Sequence, residues 1–169
     1  MIILLLLIPA GAGLLAFFVR SDGRRRALLI AAATLGSMLS LATWVVAPAP
    51  ALGGWLAVDP LGRLFETLTS LLFLAACFYA VAYLREERHQ PHADFEEGSL
   101  FSNAREASFT GCLLLFSAAM TLVTLSQHLA LLWVAVEATT LASAPLIYFH
   151  RHHRSLEATW KYLDRKSVV

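Results

Sequence analysis

Cysteine, charge and glycine-rich motifs are what this chain has least of. Only two of its 169 residues are cysteine, and Cys77 and Cys112 sit inside apolar segments without CxxC spacing. They read as small core hydrophobes rather than as a disulfide or a metal pair. Charged residues make up 15% of the chain and the net charge is +1, a balance that points away from a nucleic-acid partner. There is no glycine-rich phosphate loop, no HExxH and no nucleophile elbow, so the active-site chemistry of soluble enzymes has no foothold. Haem ligation needs histidines at mid-depth on facing helices, and the long apolar segments offer none. The chain is therefore expected to carry no catalytic residue, metal, haem or nucleotide of its own.

What it has in abundance is apolar length. Hydrophobic residues account for 58% of the sequence and mean hydropathy is +0.65, values that belong to an integral membrane protein. Segments near 2–19, 27–47, 61–84, 108–126 and 128–149 are each long enough to cross a bilayer. A further helix is expected to begin near Ser155 and to stop by 164, too short to cross. The expected fold is all-α: five transmembrane helices, an incomplete sixth, and one membrane domain over 1–169. No positive charge precedes the first span, and Arg20, Arg24, Arg25 and Arg26 follow it, the reverse of a cleavable signal sequence. With the N-terminus outside, the inner segments are 20–26, 85–107 and 150–169. All 13 lysines and arginines except Arg63 then lie on the inner side, as the positive-inside rule requires. The connector REERHQPHADFEEGSLFSNARE reads as a solvated link, with a docking surface for a cytoplasmic partner as the alternative.

Against this background one residue stands out. Glu137 lies in the middle of HLALLWVAVEATTLASAPLIYF, a stretch that spans roughly 30 Å as a helix. An ionisable group at such depth costs on the order of 3 kcal/mol and is a functional-site hypothesis by default. It has to face protein or water, and low polarity favours its neutral form, which suits loading and release of a proton. Thr139, Thr140 and Ser143 can hydrogen-bond the carboxyl or line a hydrated path, and Pro145 frees a backbone carbonyl nearby. The alternative is a neutral acid that staples two helices. Lys161, in SLEATWKYL, is either an ion-pair partner of Glu157 four residues earlier or a buried proton relay. Glu66 lies one turn after Arg63, which suggests a local ion pair, or else a polar entrance to a pathway. His128 marks the outer end of the fifth span. The run HRHHR, with His150, His152 and His153, reads as a cationic flank rather than a metal site. Asp59-Pro60 suits the N-cap and first residue of the third helix. Ala32, Gly36 and Ser40, and likewise Ala135, Thr139 and Ser143, form small-residue stripes suited to close helix packing.

At this point a resemblance enters. VDPLGRLFETLTSLLFLAACFYAVAYL, followed by LLWVAVEATTLASAPLIYFHRHHRSLEATWKYL, resembles the N-terminal part of the antiporter-like membrane subunits. Respiratory complex I, Mrp-type cation/proton antiporters and group 4 membrane hydrogenases share these subunits. VEATTL and SLEATWKYL are most similar to the hydrogenase-4 component F branch. The resemblance covers nearly all of 1–163; it is specific in the second half and only hydropathic over the first two helices. It implies a multi-pass subunit of the inner (cytoplasmic) membrane, built on inverted repeats and without a redox cofactor. Its implied partners are the membrane and peripheral subunits of a hydrogenase-4 or NADH-quinone oxidoreductase-like complex, the lipid, and protons or sodium. It matches Glu137 and Lys161 to proton-path residues. In the family the sixth helix continues apolar and the next two carry further lysines, whereas this chain runs YLDRKSVV. A truncated or split version of the subunit is the resulting expectation. Two alternatives to proton translocation stay open, a non-conducting scaffold or assembly fragment and a sodium/proton antiporter subunit.

Overall fold

Inside a bilayer no water satisfies a backbone N–H or C=O, so an apolar run of this length must wind into a helix that bonds to itself. The computed structural model describes residues 1–87, 102–147, 160–162 and 164. The described helices are α1 (Ile2–Phe18), α2 (Asp22–Ala42), α3 (Pro60–Glu87), α4 (Ser102–Leu125) and α5 (Leu129–Ile147), and residues 160–162 and 164 are helical too. Helices α2 to α5 are long and apolar enough to cross a membrane, and α1, at 17 residues, is as apolar and slightly shorter. Among the described residues β-pairing is confined to isolated bridges. The chain is thus an all-α, multi-pass membrane protein. His150, His152, His153 and Glu157, with most of the 85–107 connector, lie outside the described residues.

Helix α4 is the hub. It packs against α1, α2, α3 and α5, while α5 packs on α4 at the edge of the group. Glycines set how closely α4 is approached. A Cβ on Gly13 of α1 would stand 3.2 Å from the carbonyl oxygen of Gly111, and one on Gly111 only 2.6 Å from the Phe17 ring. A Cβ on Gly62 of α3 would lie 2.7 Å from the carbonyl oxygen of Thr124 and 2.5 Å from Asp59 Oδ1. In lipid, helices associate through contact rather than water exclusion, and such small-residue approaches supply that contact. Of the predicted small stripes, α2 buries Ala32 and Ser40, but Gly36 faces open space with nothing within 4 Å of a Cβ. The tight seat on α2 is one residue along, at Ala33 and Ser37, where Ser37 Oγ donates to Ala33 O and lies 3.0 Å from Ser70 O of α3.

The arginine end of the bundle departs from expectation. Helix α2 was expected over 27–47 and instead spans 22–42, because two arginines find partners inside the helical array. Arg25, 2% exposed, donates from Nε to Ala16 O and from Nη2 to Val19 O, two carbonyls at the close of α1, and pairs with Asp22. Arg26 grips both carboxylate oxygens of Glu106 on α4, at 2.6 and 2.9 Å, and Leu84 O on α3 at 3.0 Å. A bidentate Arg–carboxylate pair of this kind is geometrically specific as well as strong. Helix α4 begins at Ser102, ahead of the span expected from 108, and its first turns carry Glu106 to this pair.

The opposite end is closed by a lid. Leu52, Gly53 and Gly54 all have positive φ, the left-handed region that two glycines make accessible, and they turn the chain back over the helix ends. Ala51 and Leu56 pair across this turn, Ala57 N donates to Leu125 O and Gln127 N to Trp55 O, which ties the lid to the α4–α5 corner. Leu56 is buried with Ile2, Leu5 and Leu125, so the N-terminus of α1 shares this end. The expected cap at α3 is present: Asp59 Oδ1 accepts from Gly62 N at 3.0 Å, with Pro60 as first helical residue.

Gly62 serves both that cap and the α3–α4 approach. Gly62→Ala is expected to destabilise the folded chain by about 1–3 kcal/mol, the usual effect of overpacking a tight contact. Because Cys77 and Cys112 are buried, the onset temperature of labelling by a thiol-reactive dye measures this. An unchanged onset would refute the close-contact account.

Candidate functional site

Away from the arginine end, two carboxylates, Glu137 and Glu66, lie inside the described membrane-length helices in contrasting settings. Glu137 stands eight residues from the start of α5 and ten from its described end, so roughly 12 Å and 15 Å from them. Its side chain is exposed on the surface of this chain, beside the exposed Val134 and Leu141. It makes no ion pair or hydrogen bond among the described residues. The adjacent hydroxyls turn to their own backbone: Thr139 Oγ1 donates to Val136 O at 2.6 Å, and Ser143 Oγ to Thr140 O at 2.9 Å. Thr140 is buried, on the side where α5 is covered.

The short C-terminal helix meets α5 further along. Tyr162 Oη and Ser143 Oγ are 3.1 Å apart. Ser143 follows Glu137 by six residues, about 9 Å along the axis. Lys161 is exposed and precedes Tyr162 in sequence, so it lies on the segment that meets α5 at Ser143. A water or a third side chain would have to join it to Glu137.

Glu66 is the buried one. It lies six residues into α3, roughly 9 Å from the lid end, and only 4% of it is exposed. The expected partner, Arg63, is not the one it has. Thr121 Oγ1 donates to Glu66 Oε1 at 3.1 Å and Thr124 Oγ1 to Oε2 at 2.5 Å, both hydroxyls coming from α4. Arg63 turns the other way, its guanidinium 5.7 Å from the ring centroid of Trp44, where it makes a cation–π contact. Spaced three apart, the two residues share one side of α3, so the neighbours make the difference: Thr121 and Thr124 of α4 reach the Glu66 carboxyl, and Trp44, just past the end of α2, takes Arg63. No cation lies within ion-pair distance of Glu66 among the described residues. Thr121 and Thr124, spaced three apart, are site residues that sequence reading missed. Their signal was present, since i and i+3 share one face of α4.

His128 is the residue preceding α5. Its Nδ1 accepts from Ala130 N at 3.3 Å, and its ring stacks on Trp55 of the lid at 4.6 Å between centroids. It thus ties the start of the Glu137 helix to the lid. Among the described residues no group of three or more His, Cys, Asp or Glu side chains is arranged to hold a metal.

No protein-family model and no solved structure matches this chain. It is similar to a curated protein, the hydrogenase-4 component F homolog of Methylacidiphilum infernorum (isolate V4), with 28% identity over 110 residues. That match takes in 65% of this chain and 21% of the relative, so the chain spans about a fifth of the length of the protein it resembles.

The two threonines are the polar link between α3 and α4 inside the bundle. Replacing each with valine in turn is expected to destabilise the chain by about 0.5–2 kcal/mol, the range for interhelical hydrogen bonds in membranes. Thr139→Val, whose hydroxyl bonds only within α5, should leave stability unchanged. The same thiol-labelling melt compares the three; a larger loss at Thr139 would overturn the assignment.

Proposed function

We propose that this chain is a membrane subunit, or the N-terminal part of one, of an energy-converting oxidoreductase complex of the hydrogenase-4 or NADH-quinone oxidoreductase type. It contributes to proton translocation through Glu137. The observation that carries the reading is a carboxylate half-way along a membrane-length helix with no charge partner among the described residues. A group so placed is costly unless it exchanges a proton or meets a partner. The similarity to a hydrogenase-4 component F homolog supports the assignment to this kind of complex.

In this proposal Glu137 loads a proton in mid-membrane, and Lys161 on the short C-terminal helix is the next group toward the arginine end. The roughly 9 Å along α5 from Glu137 to Ser143, where the segment carrying Lys161 makes contact, suits a connection through water, with Thr140 and Ser143 on the intervening turns. The exposed side of α5 at Glu137 is where further helices of a complete subunit or complex would cover the acid. The arginine end, with Arg20, Arg24, Arg25 and Arg26, faces the cytoplasm of a cell inner membrane, in keeping with the positive-inside rule. The redox chemistry belongs to other subunits, and this chain supplies part of the ion path.

Glu137→Gln keeps size and hydrogen bonding but cannot release a proton. Introduced into the assembled complex, it should abolish proton uptake into vesicles while leaving the subunit incorporated at its normal level. Uptake that continues at the unsubstituted rate would refute the proposal and favour a scaffold role. Uptake that becomes sodium-dependent in the unsubstituted complex would point to antiport.

A further inference from the structure

A cavity of about 290 Å³ lies between α1, α2, α3 and α4, and Glu66 is one of the residues of its wall. Its volume equals that of roughly ten water molecules at about 30 Å³ each. The lining is mostly apolar, with Leu5, Pro9, Phe73, Leu113, Phe116 and Met120 supplying the body of the surface. Of the hydroxyls on the lining, Ser37, Ser70 and Thr69 donate to backbone carbonyls, at Ala33, Thr67 and Phe65, and Thr121 donates to Glu66 itself. Among the described residues of the lining, Glu66 is the one charge-capable group. Leu72, which also lines the space, is 61% exposed on the outer surface of α3, so the cavity meets the lipid-facing side of the bundle.

We propose that this cavity binds a primary ammonium carried on a compact apolar body, with the ammonium on the Glu66 carboxylate and the body against Phe73, Phe116 and Met120. Three features combine in favour of that class. The carboxylate accepts one hydroxyl on each oxygen and has lone pairs to spare for N–H donors. It has no cation of its own among the described residues, and a buried carboxylate without one is costly. The space beside it is mostly apolar and near the lower end of ligand-pocket volumes. A ligand that brings its own positive charge and fills apolar space answers all three. The site is separate from Glu137 and does not depend on the proton path.

The ammonium can come from a free amine or from the headgroup of an aminolipid, and one experiment distinguishes them. Radiolabelled 1-aminoadamantane is titrated onto the full chain in phosphatidylcholine vesicles, with partition into protein-free vesicles subtracted. Saturable binding of one amine per chain is expected. 1-Adamantanol, its neutral counterpart, should compete about ten- to hundredfold more weakly, the weight of a charge-assisted hydrogen bond. Glu66→Gln should weaken amine binding by a similar factor. Gly36→Leu keeps the carboxyl but grows into the open space beside Gly36, and should also abolish binding. Thiol-dye melts confirm that each variant is folded. If added phosphatidylethanolamine displaces the probe, the headgroup is the source; if it does not, the ligand is a free amine. Equal binding of amine and alcohol, or undiminished binding by Glu66→Gln, would overturn the proposal and leave the carboxyl with a proton as its only ligand.

Discussion

The close passage of α3 over α4 at Gly62 is the contact on which the lid-end interior depends. With hydrogen as its side chain, Gly62 brings the α3 backbone close to the carbonyl of Thr124. One turn further along, that separation is what lets Thr121 and Thr124 reach the two oxygens of Glu66. The same residue gives its N–H to Asp59, so the cap that begins α3 and the contact that seats it are one local arrangement. A side chain there would hold the helices apart and leave the acid without donors in a medium that offers no water.

The two ends of the bundle solve different problems. At the arginine end, charge that would normally seek solvent is drawn into the helix array: Arg25 satisfies carbonyls at the close of α1, and Arg26 joins α2, α3 and α4 through Glu106 and Leu84 O. Long arginine side chains can do this because their stems lie along apolar surface while the head finds oxygen. At the lid end there is little charge, and closure comes from main-chain hydrogen bonds and from Leu56 set among Ile2, Leu5 and Leu125. Trp44, Trp55, Arg63 and His128 gather around it in one cation–π contact and one stack. That is the character of a membrane interface, where rings with one apolar and one polar side are favoured.

The two acids illustrate what helix position does and does not determine. Glu137 and Glu66 both sit on apolar helices, yet one is exposed on the chain's surface and the other is enclosed and held by hydroxyls. Axial depth could be counted from the residues, because a helix rises a constant amount per residue. Azimuth could not, since it depends on which neighbour arrives on which side. Reading Glu66 as the partner of Arg63 used the nearest charge along the chain. In the fold each turns to a different helix.

The sequence by itself determined the all-α class, the run of membrane-length helices, the Asp59 cap and the mid-helix depth of Glu137. Apolar length, capping chemistry and rise per residue are local properties, written in consecutive residues. Only the tertiary structure decided that α4 is the hub, that Gly13, Gly62 and Gly111 rather than Gly36 are the points of close approach, and that Arg26 holds Glu106. It also decided that Thr121 and Thr124 serve Glu66 beside a cavity. Each of these joins residues distant in the chain, and in a bundle whose helices are apolar nearly all round, hydrophobic periodicity gives little indication of which face meets which.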